Sequence, residues 1–399
     1  MKVSRRLALT AALTGLPVLA SGVFAARPKS KTKDTVPTGS PGETPLGPVD
    51  TAAKWAFVQD FTTGAVLLDK RADEQMPPSS MTKLMTMYLV YERLKKGQMK
   101  LTDTLTVSAK AAAIGGSRMF IEVGKQVMVE DLIRGVIVQS GNDAAVLLAE
   151  AVGGTEERFA ETMNAKAREL GLTRSVFRNA TGWPDPEQFM SVRDIATLAR
   201  RIILDFPEYY KYDSEKSFKY NNIDQPNRHP MVQAGTADGL KTGHTDAGGF
   251  GLAASAQRDG RRMIVVLNGM KSMHERAVES DRMMNWAFAN FENVTLFSAN
   301  EVIDNVPVWL GTDKTVPMVG GRDLVVTLPK SWRQTASINV RFDAPLKAPV
   351  TRGQTVGTLT LRGQGVPSMD VPLLAGVDVP RLNLPMRGLA VVSRYISGG

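Results

Sequence analysis

The order in which hydrophobic periods follow one another constrains this chain more than any other feature. Trp55-Ala-Phe-Val-Gln-Asp and Ala65-Val-Leu-Leu-Asp are short strand-like runs separated by Thr62-Thr63-Gly64, a hairpin signal. From about Ser80 the period becomes helical, with Met81, Leu84, Met85, Tyr88 and Leu89 on one face. Helical patterns continue over residues 130–139, 143–152, 159–170 and 191–204. Strand character returns over 249–257 and 262–268. Strands therefore open and close this region and helices fill its middle. Such segregation predicts an α+β domain, a mainly antiparallel sheet flanked by helices, and argues against an alternating parallel fold. After Phe297 come short strand runs at 306–309, 324–328, 338–342, 356–361 and 369–374, divided by Gly and Pro. They predict a small all-β second domain.

The ends read differently. Lys2, Arg5 and Arg6, the apolar run from Leu7 to Ala20, and Val23-Phe24-Ala25 form an export leader over residues 1–25, with the cut after Ala25. Ser4-Arg5-Arg6 is a partial twin-arginine pattern, but the rest of that motif is missing, which favours the general secretory route. Residues 26–50 are rich in Pro, Ser, Thr, Lys and Gly and read as a disordered linker. The α+β domain is expected over 51–295, the β domain over 296–384, and a short tail over 385–399. In that tail Leu389, Val392 and Ile396 share a face, with Arg387 and Arg394 placed to snorkel, so it is either a weak membrane anchor or a frayed terminus.

Composition narrows the chemistry. The chain has 399 residues, 43% of them hydrophobic, enough for a large core. It contains no Cys, which excludes disulfides, thiolate metal sites, a Cys nucleophile and a lipid-modified Cys. The net charge of +9 comes without a basic-aromatic strip, so it points to an anionic surface and not to nucleic acid. His274-Glu275 lacks the second His of a zinc helix, and no Gly-x-Ser-x-Gly elbow surrounds any Ser. No metal or cofactor is expected.

Three short motifs remain. Ser80 and Lys83 lie three apart at a helix start, where a lysine can reach a serine hydroxyl. A serine needs a base to become nucleophilic, and a lysine serves only if its pKa is lowered by burial or a nearby cation. Locally the pair is equally two polar residues at a helix N-terminus. Ser30 and Lys33 have the same spacing in the linker, where no pocket can exist. Ser140-Gly141-Asn142 interrupts two helices and is either an Asx-capped turn or a hydroxyl and an amide aimed into one cleft. Lys241-Thr242-Gly243-His244 begins the returning strands and is either a strand end or a cleft edge supplying charge, hydroxyl and close backbone approach.

Together, in this order and context, the three motifs are those of penicillin-recognising serine enzymes. With the longer matches PSSMTKLMT, SGNDAA and DGLKTGHTDAGG, the chain resembles the low-molecular-mass penicillin-binding proteins, the serine-type D-alanyl-D-alanine carboxypeptidases, from about Ala52 to the low 380s. The resemblance implies that Ser80 is acylated, that Lys83 deprotonates it, and that Ser140 passes the proton to the leaving group. It implies that Lys241 holds the electrostatics, Asn142 binds the substrate amide, and Thr242 contacts the terminal carboxylate. Gly243 would line the cleft, and backbone N–H groups of Ser80 and His244 would form the oxyanion hole. Arg228 is the candidate partner of the substrate carboxylate; a loop arginine is the equal alternative. The implied substrates are peptidoglycan stem peptides ending in D-Ala-D-Ala, with β-lactams as covalent inhibitors, in the periplasm or cell envelope. A D,D-endopeptidase, a weak β-lactamase and an inactive wall-binding protein are the alternatives. The region 179–188 lacks the Glu-x-x-Leu-Asn pattern that a class A β-lactamase would carry.

Overall fold

The computed structural model describes residues 2–6, 41–363 and 366–397. It divides into two compact units, Pro37–Glu292, and Asn293–Gly399 together with residues 1–36. Most of the expected leader and residues 26–40 of the expected linker lie outside the described residues. Of the leader, Lys2–Arg6 is described, as a strand antiparallel to Ser337–Asp343.

The first unit is built on a five-stranded antiparallel sheet. Its strands are β1 (Trp55–Asp60), β2 (Val66–Lys70), β3 (Gly239–Thr245), β4 (Gly249–Arg258) and β5 (Arg261–Met270), in the order β3-β4-β5-β1-β2. Because side chains alternate across a strand, the two faces carry different sets. Lys241 is registered with Ala253, then Val266 and Phe57, and these apolar residues join the core beneath the helices of the middle region. Thr242 is registered with Leu252, then Leu267 and Ala56, on the opposite face. That face is covered by the helix Met273–Asn290 through Met283, Met284 and Ala287.

The middle region supplies α1 (Lys83–Lys95), α2 (Val129–Val138), α3 (Asn142–Gly153) and α4 (Val192–Asp205); α5 is Met273–Asn290. The sequence pattern gives α1 one buried face, yet every residue from Lys83 to Tyr91 is buried. The helix lies against both α3 and α4, so it is enclosed on all sides. It is also preceded by a separate 3-10 turn, Ser79–Thr82, that carries Ser80. α5 escapes the sequence reading, though its start is marked: Ser272 Oγ accepts from Glu275 N at 3.0 Å and Glu275 accepts from Lys271 N at 2.6 Å.

The expected linker also ends earlier than residue 50. Pro41–Gly42 pairs with Val49–Asp50, and Glu43 bridges Asp69 of β2. Gly42 permits this, since a Cβ there would meet Lys70 Cβ at 3.2 Å.

In the second unit the strands Val302–Trp309, Thr315–Gly320, Ser337–Asp343, Thr355–Gly363 and Val366–Ala375 belong to one mixed sheet, and Phe291–Phe297 pairs with Leu324–Pro329. Val306, Val316, Met318, Val340, Leu359 and Leu373 are among its buried core. The all-β expectation holds. The tail is a helix, Leu384–Ser397, that exposes Leu384, Met386, Leu389, Val392 and Ile396. Among the described residues no helix is long and apolar enough to cross a membrane.

One loop seats the serine turn. Asn179 Oδ1 accepts from the backbone N–H groups of Thr181, Gly182 and Trp183, at 3.2, 2.8 and 3.2 Å, and folds the chain sharply. Gly182, at φ +81°, then lies so close to Ser79 that a Cβ would come within 1.8 Å of the Ser79 carbonyl oxygen. Gly182→Ala is expected to cost about 2–4 kcal/mol, from overpacking added to left-handed strain. Gly260→Ala, at φ +77° with nothing within 4 Å of its Cβ, isolates the strain and is expected to cost about 1–2 kcal/mol. Urea unfolding of both variants checks the difference.

Candidate active site

A cleft of about 280 Å³ opens between the serine turn, the 116–117 segment with the start of α3, the 181–184 loop and the end of β3, lined by Ser80, Ser117, Asn142, Trp183 and His244 among others. At its floor Lys83 is fully buried. Its Nζ donates to Ser80 Oγ at 3.0 Å, to Asn142 Oδ1 at 2.7 Å and to the Thr181 carbonyl at 2.6 Å. All three acceptors are neutral. Burial first, and the charge of Arg228 second, push the Lys83 pKa down to about 7, with Asp143 opposing. A lysine in that range is deprotonated in part at neutral pH, as a general base must be.

Of the two uses open to its amide, holding a substrate carbonyl or orienting the lysine, Asn142 makes the second. Its Oδ1 holds Lys83, and its Nδ2 donates to the Gly115 carbonyl at 2.8 Å, so both ends of the amide are engaged within the protein. Its neighbour Asp143 is buried and accepts from the backbone N–H groups of Met119 and Phe120, at 3.0 and 2.9 Å. That anchors the 115–121 segment which forms one lip of the cleft. Ser140 is buried in a left-handed conformation at φ +60°, and its Oγ has no hydrogen-bond partner among the described residues. A buried hydroxyl kept unpaired in strained backbone is free to take up a proton-transfer partner.

β3 forms the other lip. Lys241 is buried and its Nζ donates to the Thr242 carbonyl at 3.1 Å. Burial leads, followed by the charges of Lys83, Arg228 and Arg276, in driving Lys241 well below the ordinary lysine pKa, with Asp213 opposing. Two lysines so placed cannot both be charged cheaply. Thr242 is buried on the α5 face of the sheet. Gly243 has a packing reason that the sequence did not suggest: a Cβ there would meet Pro78 O at 3.1 Å and Ser80 N at 3.2 Å. The glycine lets β3 press against the serine turn. His244 is exposed and stacks on Phe250, its partner across the strands, at 3.8 Å. Arg228 reaches the 115–121 lip, where Nη1 donates to Ser117 Oγ at 2.5 Å.

Two residues were missed. Thr181 acts through its backbone carbonyl, which no side-chain motif can announce. Arg276, on α5, is buried, and its Nε lacks a partner among the described residues. It sits in no motif, on a helix the sequence reading passed over. His229, by contrast, is structural. Nδ1 accepts from Val232 N at 3.4 Å and Nε2 lies 3.2 Å from the Ala253 carbonyl, while burial holds the ring near pKa 3 and therefore neutral.

An antiparallel sheet with helices on its flank, a lysine-paired serine before the central helix and a Lys-Thr-Gly edge strand define a penicillin-recognising serine enzyme. The chain belongs to the D-alanyl-D-alanine carboxypeptidase family, whose profile matches residues 42–272; the profile of the penicillin-binding protein 5 C-terminal domain matches residues 291–381. It is 38% identical to the carboxypeptidase DacC of Escherichia coli over 82% of this chain and 84% of that one. The crystal structure of penicillin-binding protein 5 from Haemophilus influenzae is similar at TM-score 0.74 and 36% identity, covering 84% of this chain and all of that one. Penicillin-binding protein D2 of Listeria monocytogenes, solved in an ampicillin-bound form, is similar at TM-score 0.55 and 25% identity over 60% of this chain and 98% of that one.

The pH dependence follows from Lys83. Its neutral form grows as pH rises through about 7. Acylation of Ser80 by benzylpenicillin is therefore expected to rise through that pH and level off above it, the midpoint belonging to the coupled lysines. Lys83→Arg should lose both the rise and the activity, because a guanidinium stays protonated. Stopped-flow acylation against pH measures both.

Proposed function

We propose that this chain removes the terminal D-alanine from peptidoglycan stem peptides through an acyl-enzyme on Ser80, and that β-lactams acylate the same oxygen. The hydrogen bond from Lys83 to Ser80 carries this reading, since it comes from a buried lysine with neutral acceptors and a pKa near 7. Neutral Lys83 takes the Ser80 proton as Oγ attacks the carbonyl of the penultimate D-alanine. Backbone N–H groups of Ser80 and His244 receive the developing oxyanion, a donor of this kind being worth on the order of 2.7–4 kcal/mol. Ser140 relays the proton to the departing nitrogen, D-alanine leaves, and water then releases the shortened peptide. Lys241 tunes this relay, and Thr242 and Arg228 face the substrate carboxylate.

Removal of one residue is favoured over internal cleavage by Arg228. Held to Ser117 at the 115–121 lip, its guanidinium offers a cation for a free terminal carboxylate, which an internal peptide would not present. Slow loss of bound penicillin is favoured by the 179–188 loop. Glu187 there turns outward to Arg178, and Asp185 is engaged with Glu187 N, so neither acid lines the cleft to activate water.

An export leader over residues 1–25 supports an activity outside the cytoplasm, in a bacterial envelope. The exposed apolar side chains of helix Leu384–Ser397, together with the net charge of +9, suit peripheral contact with an anionic bilayer.

Intact-mass spectrometry after benzylpenicillin, with D-alanine release from a peptide ending in D-Ala-D-Ala, tests the chemistry. The expected outcome is an adduct on Ser80 and D-alanine release in wild type, and neither in Ser80→Ala. An adduct without D-alanine would favour internal cleavage; no adduct on folded protein would refute the assignment. Deleting Met386–Gly399 should leave turnover of soluble peptide unchanged and abolish co-sedimentation with anionic vesicles. Loss of soluble turnover would make the tail structural instead.

A further inference from the structure

The catalytic cleft continues past the 181–184 loop. Gly182, Trp183, Pro184 and Thr245 line it, and the same four residues line a second cavity of about 410 Å³, so the two spaces meet there. The rest of the second cavity is closed by residues 75–79, ahead of Ser80, and by residues 185–189. Its wall is mainly apolar, with Pro77, Pro78, Trp183, Pro184, Pro186 and Phe189. Among the described residues Asp185 is the one ionisable side chain on that wall. Its Oδ1 accepts from Glu187 N at 2.8 Å, and its second oxygen has no partner among the described residues. Glu187, the other acid of the loop, is held by Arg178 at 3.0 Å.

The direction of β3 says what reaches this cavity. If Thr242 faces the terminal carboxylate and the His244 N–H receives the scissile carbonyl, positions along β3 follow the substrate from its end inward. The residue that precedes D-Ala-D-Ala then falls a step further on, roughly 3.3–3.8 Å beyond. That is the Thr245–Ala247 end of the cleft, and Thr245 and Ala247 both line the second cavity. The 115–116 side is blocked. A Cβ on Gly115 or Gly116 would come within 3.2 or 2.9 Å of the Trp183 ring, so the indole lies against both glycines. The cavity walls are also fixed. Ser79 Oγ and Thr245 Oγ1 are hydrogen-bonded at 2.9 Å, and Asn179 Nδ2 donates to the Trp183 carbonyl at 3.0 Å. Gly248 sits so close that a Cβ would lie 2.8 Å from the Pro77 carbonyl oxygen. Even so, Trp183 keeps 47% of its exposure, an apolar surface that a ligand can cover.

We propose that this cavity receives the side chain of the residue preceding D-Ala-D-Ala, and that it selects a long aliphatic chain ending in an amine. The methylenes lie on the proline and tryptophan surfaces, and the ammonium group meets the open oxygen of Asp185. This rests on the carboxypeptidase reading and names a part of the substrate which that reading leaves open. An amphipathic chain suits such a wall, because its stem is covered while its head stays partly in water. A short side chain would leave the apolar wall uncovered. An acidic one would bring a second negative charge to Asp185.

The test varies that residue alone. D-alanine release is measured as kcat/KM for peptides with lysine, norleucine, alanine or glutamate ahead of D-Ala-D-Ala. Norleucine is expected to exceed alanine about tenfold, from the methylenes covered. Lysine should exceed norleucine about threefold, as suits a half-exposed ion pair, and glutamate should fall below norleucine. Asp185→Asn keeps the Oδ1 acceptor for Glu187 N; it should abolish the lysine advantage and leave the norleucine peptide within about twofold. Asp185→Lys should place glutamate above lysine, and Trp183→Ala should shrink the norleucine advantage over alanine. Wild type that cleaves all four peptides alike would overturn the proposal, as would Asp185→Asn slowing lysine and norleucine equally. A second arm times acylation of Ser80 by two penicillins of equal side-chain length, one 6-aminohexanoyl and one heptanoyl. Wild type that takes up both penicillins but cleaves no peptide would refute the carboxypeptidase reading alone. The penicillin pair would then decide the cavity, since an amine preference lost in Asp185→Asn supports it and equal rates overturn it. Wild type inert to every ligand would overturn both.

Discussion

Burial of Lys83 among neutral oxygens is the constraint from which the rest of the site follows. A lysine that keeps its ordinary pKa is a charged donor and cannot take a proton from serine. To lower that pKa the chain must remove the side chain from water and deny it a carboxylate. It achieves the first by enclosing α1 on all sides, so that even the polar start of the helix is internal. It achieves the second by choosing a hydroxyl, an amide oxygen and a peptide carbonyl as acceptors. Asp143, next in sequence to Asn142, is an acid close enough to spoil this. Its oxygens instead hold Met119, Phe120 and Ala144 backbone N–H groups, which position the neighbouring lip of the cleft.

Close packing around the serine turn serves the same end. Gly182 and Gly243 press against Ser79 and Ser80 from two sides, at separations that exclude a Cβ at Gly182 and crowd one at Gly243. Ser79 and Ser140 both adopt positive φ, at 50° and 60°. Left-handed serines cost about 1–2 kcal/mol each, and these two lie beside Ser80 and in the turn before α3. The sheet supplies rigidity for this: β3 is tied to β4 in unbroken register from Gly239 to Thr245, so Lys241, Thr242 and Gly243 are fixed relative to one another.

How much of this was legible depends on whether side chains or backbone do the work. Ser80, Lys83, Asn142 and Lys241 converge on one cleft, and each was marked by a side-chain motif. The sheet and central helices were legible because their apolar periods are strong. Thr181 was not, since it contributes a carbonyl that any residue would have. Arg276 was marked by no motif, and its burial depends on which sheet face α5 covers, a matter of long-range pairing. The one-sided reading of α1 failed for a related reason. Tyr91, Thr86 and Lys83 look like a solvent face until Tyr209, the Ala180 carbonyl and Asn142 close over them. The ladder at 41–50 was hidden by its Pro and Gly content, although Gly42 is what brings it close to β2.

The electrostatics of the empty cleft finally bear on stability as well as on selectivity. Lys83, Lys241 and Arg276 are buried with too few acids, Asp213 being an acid whose own Oδ2 is unbonded among the described residues. Burial and the charge of Asp238 push the Asp213 carboxyl well above the ordinary carboxylate range. Any ligand bound by the folded form alone stabilises it by mass action, and here much of that gain comes from charges the fold leaves unmet. The apolar clusters on both faces of the sheet offset the cost of burying these groups and of the left-handed serines.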